Sequence, residues 1–598
     1  MPTVLDGFFA HGRERPHAPC WQFRPIDSPS WRTMTWGEAG RAVGTIARWL
    51  RERGVSAGDR VALWSSTRVE WTIWDLAILS VGAVTVPVYQ NLPFAQAAFV
   101  INEPACRLLI AERPRMAGEP DVVAACARAC TALEGVVMIE DHVPSPGILP
   151  AWSHAAILNA ETSVASADPM AVPPRADQLA TIVYTSGTTG TPKGVELTHD
   201  NLHAEVEGLR AILPFPHEWI GLMFLPLAHI VARAMQMFQI AHGFIAAYAE
   251  GIEKVPENLL TVRPHFFAAV PRLYEKMHER IRAQLTKAPA PKRAFFAWAH
   301  TVGAAVSHYR QRHQRVPLRF AVPHAVARLA FLPVKRKLGG RLAYAISGGA
   351  PLGKELAKYF HAMGVTILEG YGLTETTAAV TINHPDDFRF GTIGKPLAGV
   401  HVRLAEDGEI LVKGRTVFRG YYQRPQETRA AFDREGWFCT GDIGEFSRDG
   451  FLRITDRKKD LIKTSGGKYI APQPIETLVK QDPLVGDIVV YGDRQKYLTA
   501  LITLNREAAV RWAKEYGLAV EDWGALTRHP TLHAAIQAVI DRVNRQLASF
   551  ETIKRFAVLD HEFSLEGGEL TPTLKVKRRV AYDRYQHVLQ SMYEETGT

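Results

Sequence analysis

The chain has 598 residues, of which 47% are apolar and 22% are charged, and its formal net charge is +9. A single hydrophobic core rarely grows beyond a few hundred residues, so the length predicts at least two domains. The composition excludes a mainly disordered or fibrous chain. The positive balance is compatible with phosphates, anionic lipid or nucleic acid as partners and does not choose among them.

Short β-branched runs alternate with helical patterns through most of the chain, at residues 60–64, 83–88, 108–111, 135–139 and 181–184. This alternation predicts an α/β fold with parallel sheets covered by helices. From about residue 391 the pattern changes to short strands and turns, as at 399–404 and 408–412, and predicts a β-rich subdomain. The charged stretch 455–463 then predicts a linker to a last domain of roughly 140 residues.

Residues 71–88 are apolar and long enough to span a bilayer, but Asp75, Gly82 and Pro87 interrupt them. We therefore predict a buried helix followed by a buried strand. The N-terminus lacks the basic and apolar runs of a secretion signal. The five cysteines, odd in number and without a Cys-x-x-Cys pair, predict free thiols and a reducing cytoplasm.

Gly54-Val-Ser-Ala-Gly58 fits the nucleophile elbow of a hydrolase. That elbow requires a strand, a turn and then a helix. Here a helical pattern precedes the motif and a strand pattern follows it. Ser56 is therefore predicted to be a turn residue.

The strongest local pattern is Tyr184-Thr-Ser-Gly-Thr-Thr-Gly-Thr-Pro-Lys-Gly-Val195. Glycines let the backbone turn tightly so that amide groups converge on an anion, and hydroxyls and a lysine add donors and charge. This composition suits the polyphosphate of a nucleotide. Thr-Pro separates Gly190 from Lys193, so the motif is not a Walker A loop. The candidate phosphate-binding residues are Thr185, Ser186, Gly187, Thr188, Thr189, Gly190 and Lys193.

This loop resembles the phosphate-binding signature of the acyl-adenylate-forming, or AMP-binding, synthetases. Further motifs stand in the order and approximate spacing of that family: Ser347-Gly-Gly-Ala-Pro351, Glu369-Gly-Tyr-Gly-Leu-Thr-Glu-Thr376, Gly436-Trp-Phe-Cys-Thr-Gly-Asp442, Asp456-Arg-Lys-Lys-Asp-Leu-Ile-Lys463 and Leu570-Thr-Pro-Thr-Leu-Lys575. The resemblance covers nearly the whole chain. It implies a large N-terminal adenylate-forming domain at 1–456, a hinge at 457–460 and a small, mobile α+β domain at 461–598.

The resemblance also implies roles at the nucleotide. Tyr371 would stack on adenine, Thr374 would meet the α-phosphate and Glu375 would hold Mg²⁺ between phosphate oxygens. Small residues leave room for the flat base, and Asp442 would accept the ribose hydroxyls beside Arg457. The remaining nucleotide-site residues of these motifs are Gly348, Gly349, Ala350, Glu369, Gly370 and Gly372.

Four other positions take roles from the resemblance. Lys575 would contact the reacting carboxylate and the α-phosphate, although Leu574 stands where many relatives have glycine. His229, in Leu225-Pro-Leu-Ala-His229, would lie near the acyl carboxylate and the thiol entry. Lys459 matches the hinge position, and Gly466 would border the pantetheine channel.

Two features favour a long acyl chain as substrate. Residues 270–281 resemble a segment that borders the fatty-acid tunnel of long-chain acyl-CoA synthetases, and the insertion at 286–341 resembles the same group. The predicted reaction is a two-step ligation that consumes a fatty acid, ATP and coenzyme A, with Mg²⁺. An acyl-AMP ligase that loads a carrier protein is the alternative. A protein that binds only nucleic acid or membrane would leave the nucleotide motifs unexplained.

The insertion carries cations with few acids nearby: Arg310, Arg312, Arg315, Arg319, Lys335, Arg336 and Lys337. We predict that they meet anionic lipid, with a solvated basic helix as the other interpretation. The expected localisation is cytoplasmic, with peripheral contact at the inner face of the membrane. A homodimer is compatible with the sequence, and no nucleic-acid partner is expected.

Overall fold

We describe residues 2–25, 28–112, 122–140, 149–160, 174–185, 192–466, 468–518, 520, 522–564, 567–571 and 575–594 of a computed structural model of the chain. The strands are Pro19–Phe23 (β1), Arg32–Thr35 (β2), Arg60–Trp64 (β3), Val84–Val88 (β4), Leu108–Ala111 (β5), Gly135–Met138 (β6), Ala151–Ser153 (β7), Leu179–Thr185 (β8), Lys193–Thr198 (β9), Ile220–Met223 (β10), Ile245–Tyr248 (β11), Phe266–Ala269 (β12), Tyr344–Ser347 (β13), Thr366–Tyr371 (β14), Thr381–Ile382 (β15), Lys395–Pro396 (β16), Val400–Leu404 (β17), Glu409–Gly414 (β18), Gly420–Tyr421 (β19), Phe438–Phe446 (β20), Leu452–Arg457 (β21), Ile462–Lys463 (β22), Tyr469–Ile470 (β23), Val485–Tyr491 (β24), Leu498–Leu504 (β25) and Ile553–Val558 (β26).

The α-helices are Val4–Glu14 (α1), Trp36–Glu52 (α2), Val69–Ser80 (α3), Phe94–Asn102 (α4), Val122–Ala129 (α5), His154–Asn159 (α6), His199–Ile212 (α7), Ile230–His242 (α8), Val255–Val262 (α9), Pro271–Thr286 (α10), Ala290–Gln311 (α11), Leu318–Lys337 (α12), Lys354–Ala362 (α13), Pro425–Ala430 (α14), Pro472–Val479 (α15), Arg506–Glu515 (α16), Trp523–Thr527 (α17), Pro530–Asn544 (α18), Arg578–Arg584 (α19) and Gln586–Ser591 (α20). Single 3₁₀ turns lie at Ile252–Lys254, Thr374–Thr376 and Ser549–Glu551.

Two large sheets organise the first two-thirds of the chain. One has the order β16-β15-β14-β13-β12-β10-β11-β1-β2 and the other the order β19-β9-β8-β4-β3-β5-β6-β7. Their central strands are parallel, as predicted, and antiparallel strands are added at the edges. The reason is loop length: a connection as short as residues 186–192 can join antiparallel neighbours but not cross over between parallel strands.

Each large sheet packs on its own apolar cluster of buried residues. The segment that looked membrane-like is α3 followed by β4, which confirms the predicted buried helix and strand. Within the described residues, no helix has the length and hydropathy that crossing a bilayer requires. All five cysteines are free, and Cys126 and Cys130 are buried in the cluster of the second sheet.

The predicted strands at 60–64 and 108–111 coincide with β3 and β5, and the other three differ by one or two residues at their ends. Ser56 lies in a turn between α2 and β3, where its amide and hydroxyl donate hydrogen bonds to Asp59 Oδ2 at 2.8 and 3.0 Å. This confirms that the motif around Ser56 is not a nucleophile elbow.

The chain divides into two compact units. The first comprises Met1–Arg403, Leu411–Thr440 and Ser447–Leu452, and the second comprises Leu404–Ile410, Gly441–Phe446 and Arg453–Thr598. The predicted β-rich region forms a sheet of order β17-β18-β20-β21, and the chain passes between units within these strands. The second unit also contains β24, β25 and β26 with helices α15 to α20.

Candidate functional site

The glycine-rich motif connects the two strands of an antiparallel pair. Thr185 ends β8, Lys193 begins β9, and the two residues are opposite each other in the register. The predicted phosphate-binding residues Ser186, Gly187, Thr188, Thr189 and Gly190 lie outside the described residues. The structure therefore fixes the two ends of the predicted phosphate loop at one edge of a sheet.

The Lys193 ammonium has two partners from a distant part of the chain. It forms an ion pair with Glu427 and lies 5.2 Å from the centre of the Tyr421 ring. Both partners approach because β19 pairs with β9, with Tyr421 opposite Val195. The lysine is thus held at the start of β9 while a quarter of its side chain stays exposed.

Tyr421 also reaches the predicted metal-binding carboxylate. Its hydroxyl donates a hydrogen bond to Glu375 Oε1 at 2.9 Å, and burial together with the Glu375 charge raises the Tyr421 pKa. Tyr421 therefore links two sequence motifs, Lys193 and Glu375. Sequence reasoning missed this residue because a tyrosine next to another tyrosine carries no local sign of a site.

The motif at 369–376 leaves the end of β14. Tyr371 is buried at the last position of that strand, and Thr374 and Glu375 follow in a 3₁₀ turn, both partly exposed. Gly372 is required sterically, since a Cβ there would lie 1.4 Å from the Ala378 carbonyl oxygen. Thr377 and Ala378 have φ of 61° and 106°, a region that is unfavourable for residues with a side chain.

The glycine pair after β13 has no crowded neighbour among the described atoms. A Cβ on Gly348 or Gly349 would come no closer than 3.9 Å, an ordinary contact distance, and Gly349 has a φ of 80°, which favours glycine. Ala350 is exposed. Since β13 and β14 are parallel neighbours, their carboxyl ends lie at one edge of the sheet, as binding sites in α/β proteins do.

Glu369 has a different environment from the one expected of a ligand contact. Its side chain is buried in β14, and its carboxyl accepts hydrogen bonds from the backbone N–H groups of Leu352 and Gly391. Burial raises its pKa to about 8. Gly370 lies beside it, opposite Ile382 of β15. Glu369 thus connects the backbone at Leu352 with the backbone at Gly391. Its contact with the nucleotide stays a prediction.

The donor set near Glu375 fits a magnesium ion that arrives with a polyphosphate. No group of three His, Cys, Asp or Glu side chains in the described part of the chain could hold a metal ion. Mg²⁺ is commonly held by one or two carboxylates, substrate phosphates and water rather than by a protein cage. A single, partly exposed carboxylate such as Glu375 matches that pattern.

His229 caps a helix. It is the N-cap of α8, and its Nδ1 accepts the Val231 N–H at 3.2 Å. The loop before it is anchored by Thr67, whose hydroxyl donates to the Leu225 carbonyl at 2.7 Å. Capping accounts for a histidine at this position, and its predicted place near the acyl carboxylate stays a prediction.

Behind these motifs a fully buried ion pair joins α3 to α8. Arg233 binds both Asp75 oxygens, at 2.6 and 3.1 Å, and also donates to the Thr181 hydroxyl of β8. Thr85 of β4 donates to Asp75 at 2.7 Å. Desolvation raises the pKa of Asp75. The network holds β8, which ends at Thr185, and α8, which begins after His229. From the sequence, Asp75 was identified only as a charge that interrupts the apolar segment 71–88.

In the second unit, Asp442 and Arg457 lie side by side, and their side chains form an ion pair. Asp442 lies on β20 with only 5% of its side chain exposed, and its Oδ1 is 3.1 Å from Arg457 Nε. Arg457 ends β21 and is exposed. A carboxylate fixed in this way has the geometry to accept hydroxyl groups, although its ribose contact is untested.

Lys575 belongs to the same unit. Two hydrogen bonds tie it to Thr571: Thr571 N–H donates to the Lys575 carbonyl at 2.8 Å, and Lys575 N–H donates to the Thr571 hydroxyl at 3.0 Å. The residue as a whole is exposed. Loss of water around its ammonium and the charge of Arg457 nevertheless lower its pKa to about 8, and the Asp442 carboxylate opposes that shift.

The predicted hinge, residues 457–460, begins at the last residue of β21. Lys458 is fixed by Asp407 and Glu409, at 2.6 and 2.7 Å, whereas the next residue, Lys459, is exposed in a turn. Gly466 is exposed too, and among the described atoms a Cβ there would meet Thr464 Oγ1 alone, at 4.0 Å. The hinge and channel roles of Lys459 and Gly466 stay predictions, as do the domain limits at 456 and 461.

Comparison with known proteins identifies the class. The AMP-binding enzyme family model matches residues 8–422, and the model of the AMP-binding enzyme C-terminal domain matches residues 459–597. Among solved structures, the adenylation domain of a carboxylate reductase from Mycobacterium chelonae has a TM-score of 0.79 at 22% identity, over 99% of this chain and 91% of that one. The chain belongs to the AMP-binding enzyme family and has the α/β fold of adenylate-forming enzymes.

Two curated relatives are more similar in sequence. The long-chain-fatty-acid–CoA ligase FadD15 of Mycobacterium bovis is 38% identical over 606 residues, which cover 99% of this chain and 97% of that protein. The peroxisomal long chain acyl-CoA synthetase 6 of Arabidopsis thaliana is 32% identical, over 95% of this chain and 82% of that protein. Both likenesses extend through the two units.

Proposed function

We propose that this protein is a long-chain fatty-acid–CoA ligase. A fatty carboxylate oxygen attacks the α-phosphorus of ATP. The bond between the α-phosphorus and the oxygen that bridges it to the β-phosphate breaks, and pyrophosphate leaves. The thiol of coenzyme A then attacks the acyl carbon, AMP leaves, and the thiol proton passes to water. The observation that carries the first step is the Tyr421 arrangement, which ties Glu375 and Lys193 beside the carboxyl ends of two strands.

The chain's own groups divide the work of the first step. Lys193 and the loop that it terminates bind phosphates, and Tyr371 with the Gly348–Gly349 pair receives the base. Mg²⁺ bound with ATP offsets phosphate charge. Tyr421 orients Glu375 toward that charge, and Lys575 offsets the charge that builds as pyrophosphate leaves.

The relatives support the choice of acid and acceptor. FadD15 and the plant synthetase are named for long-chain acids and coenzyme A. Tyr274 of α10 donates a hydrogen bond to the Ile346 carbonyl of β13 at 2.7 Å, so α10 lies close to the glycine pair that follows β13. The resemblance of residues 270–281 to a tunnel-bordering segment supports an acyl chain along α10. Since each buried CH₂ contributes about 0.8 kcal/mol, kcat/KM should rise steeply from acetate to palmitate.

The first experiment omits one component at a time from a mixture of palmitate, ATP and coenzyme A. Palmitoyl-CoA and AMP should form only in the complete mixture. Adenylate that accumulates with coenzyme A present would instead favour the carrier-loading ligase. Faster turnover of acetate or benzoate than of palmitate would contradict the long-chain assignment.

The second experiment separates the half-reactions by rapid kinetics. Lys575→Ala should slow acyl-AMP formation by about 10²–10³-fold while still converting supplied acyl-adenylate to thioester. Lys459→Pro should do the reverse, because proline restricts the predicted hinge. Lys577→Ala and Lys459→Ala are the matched controls. Equal loss of both halves in a Lys575→Ala protein with an unchanged thermal melt would overturn the role of Lys575.

A further inference from the structure

The outward face of α12 is apolar. Leu318, Val322, Val326, Leu329 and Leu332 are exposed by 80, 66, 48, 59 and 40%. At 3.6 residues per turn these five positions fall on one side of the helix. The opposite side, with Ala327 and Phe331, is buried in the core of the nine-stranded sheet. The helix is therefore apolar on both faces, and the fold covers only one of them.

Cations border this face on both edges. By helical position, Arg319 and Lys337 lie along one edge, Arg328 and Lys335 lie along the other, and the exposed Arg336 ends the face in line with Leu318. Residues 287–341 contain twelve Lys and Arg and no Asp or Glu. In the described part of the chain no carboxylate forms an ion pair with Arg319, Arg328 or Lys337. Burial and the charges of Arg328 and Arg310 lower the pKa of Lys335, as expected for cations that face each other rather than acids.

An exposed aromatic pair extends the face onto α11. Phe295 and Trp298 stack at 5.7 Å and are 38 and 42% exposed. The neighbouring Phe296 contacts Phe331 edge-on at 5.5 Å, so the start of α11 lies beside the second half of α12. Aromatic side chains with a polar edge, tryptophan above all, favour the boundary between lipid and water.

We propose that these residues form a docking surface for an anionic lipid bilayer. The surface, named the hairpin face, consists of Phe295, Trp298, Leu318, Val322, Val326, Leu329 and Leu332. An apolar stripe between two basic edges matches the acyl boundary of a bilayer beneath its anionic headgroups. A second copy of the chain fits poorly, because it would bring the basic edges of one face against the basic edges of the other.

The helix lies on the bilayer and does not cross it. Pro323 and Pro333 within α12 have no N–H, so the carbonyls of Arg319 and Leu329 lose their helical donors. Those carbonyls require water or another donor, which the interfacial region supplies and the hydrocarbon core does not. The docking surface is independent of the ligase reaction, although it would bring an enzyme for fatty acids to the place where they dissolve.

The test measures co-sedimentation of the full chain with vesicles at low salt. Vesicles of phosphatidylglycerol and phosphatidylcholine should retain at least tenfold more protein than phosphatidylcholine alone, and high salt should reduce the difference. The variant Leu318→Gln/Val322→Gln/Leu329→Gln should lower retention at least tenfold. The control Ile252→Gln/Leu260→Gln changes side chains exposed by 59 and 53% elsewhere in the same unit and should stay within twofold of wild type.

A second pair of variants separates local from total charge. Arg319→Gln/Arg328→Gln/Lys337→Gln should lower retention about as much as the apolar variant. Arg41→Gln/Arg434→Gln/Arg448→Gln removes the same charge from other exposed positions and should retain most binding. Equal losses in the two charge variants would overturn a local docking surface.

Tryptophan fluorescence tests directly whether the hairpin face contacts lipid. The main measurement is made on the wild type, so it does not depend on the folding of the glutamine variants. Brominated lipid should quench wild-type emission, and Trp298→Phe should lose most of the quenched component. Quenching that is unchanged in Trp298→Phe would overturn the proposal. So would a wild-type dimer in sedimentation velocity that the apolar variant dissociates, because the face would then serve self-association.

Discussion

Two sets of arginines in the large unit have opposite environments. Arg233 has 1% of its side chain exposed and binds Asp75, with 0% exposed, through two contacts. On α12, Arg319 and Arg328 are exposed and form no ion pair with any described carboxylate. Both sets lie on helices that pack against a large sheet, so location alone does not explain the contrast.

This contrast distinguishes charges that stabilise the folded chain from charges that do not. A charge taken out of water costs several kcal/mol unless partners replace the lost hydration, so an interior arginine needs its full set of acceptors. An exposed cation incurs no such cost and needs no partner inside the molecule. Charges that gather beside an exposed apolar stripe, with no acid in the surrounding sequence, therefore point to a partner outside the molecule.

The largest expected effect comes from breaking the interior pair. Arg233→Met leaves the Asp75 carboxylate buried without its cation and should reduce the free energy of unfolding by about 3–5 kcal/mol, measured by urea denaturation. Lys358→Met, which removes one member of the exposed pair with Glu355, should cost less than about 1 kcal/mol.

The double variant Asp75→Leu/Arg233→Met sharpens the interpretation of that loss. It removes both charges together and should recover much of the stability, since neither partner is left unpaired. If Arg233→Met cost no more than Lys358→Met, the buried pair would have no special role in stability.

Glu369 is a buried carboxyl that forms no ion pair with a described cation. Its contribution to the stability of the folded protein should therefore depend on pH. Its pKa rises from the ordinary 4.5 to about 8 in the folded protein, so between these values the folded state keeps a proton that the unfolded state releases. Stability should therefore fall as pH rises from about 4.5 to 8, by a few kcal/mol in total at about 1.4 kcal/mol per pKa unit.

The substitution Glu369→Gln keeps the side chain neutral and should flatten this part of the stability profile. Glu355→Gln, at a carboxyl with 66% of its side chain exposed, should leave the slope unchanged. Thermal melts across the pH range give the comparison. An equal slope in wild type and Glu369→Gln would mean that this carboxyl is ionised in the folded protein.

Sequence reasoning reached the parts of the site that local patterns encode. Thr185, Gly348 and Tyr371 each lie at or next to the carboxyl end of a strand, and the apolar run that precedes Thr185 predicts its place from the sequence alone. The contacts that organise the site join residues far apart in sequence. Tyr421 lies 46 residues from Glu375, and Arg233 lies 158 residues from Asp75. Pairing of β19 with β9 brings Tyr421 to the site, whereas Arg233 and Asp75 meet where helices α8 and α3 approach each other.

The hairpin face could not be predicted from the sequence, for a different reason. The basic run and its helical character could be read from the sequence. However, α12 is apolar on both sides, so its periodicity does not indicate which side the core covers. Phe331 is buried and Leu332 is exposed only because α11 and the sheet approach from one direction.

The environment of Lys575 is intermediate between those of Arg233 and the α12 arginines. Burial and the charge of Arg457 lower its pKa, and the charge of Asp442 raises it. If adenylation needs the charged ammonium, its rate should fall about tenfold per pH unit above the pKa of about 8. Lys575→Arg should keep its charge and move that decline to higher pH. Single-turnover acyl-AMP formation from pH 7 to 10 tests this, with Lys577→Arg as control. A decline that Lys575→Arg leaves in place would have to come from another group.

The smallest expected effect is on the hairpin face itself. Arg319→Gln/Arg328→Gln/Lys337→Gln should change the free energy of unfolding by less than about 0.5 kcal/mol in urea denaturation, because no described carboxylate loses a partner. The sign should favour the variant, since Arg328, whose charge helps to lower the pKa of Lys335, is removed. Added salt should stabilise the wild type more than the variant, because screening weakens a repulsion that only the wild type retains. A loss above about 1 kcal/mol would instead give these cations a structural role inside the molecule, and the contrast with Arg233 would no longer hold.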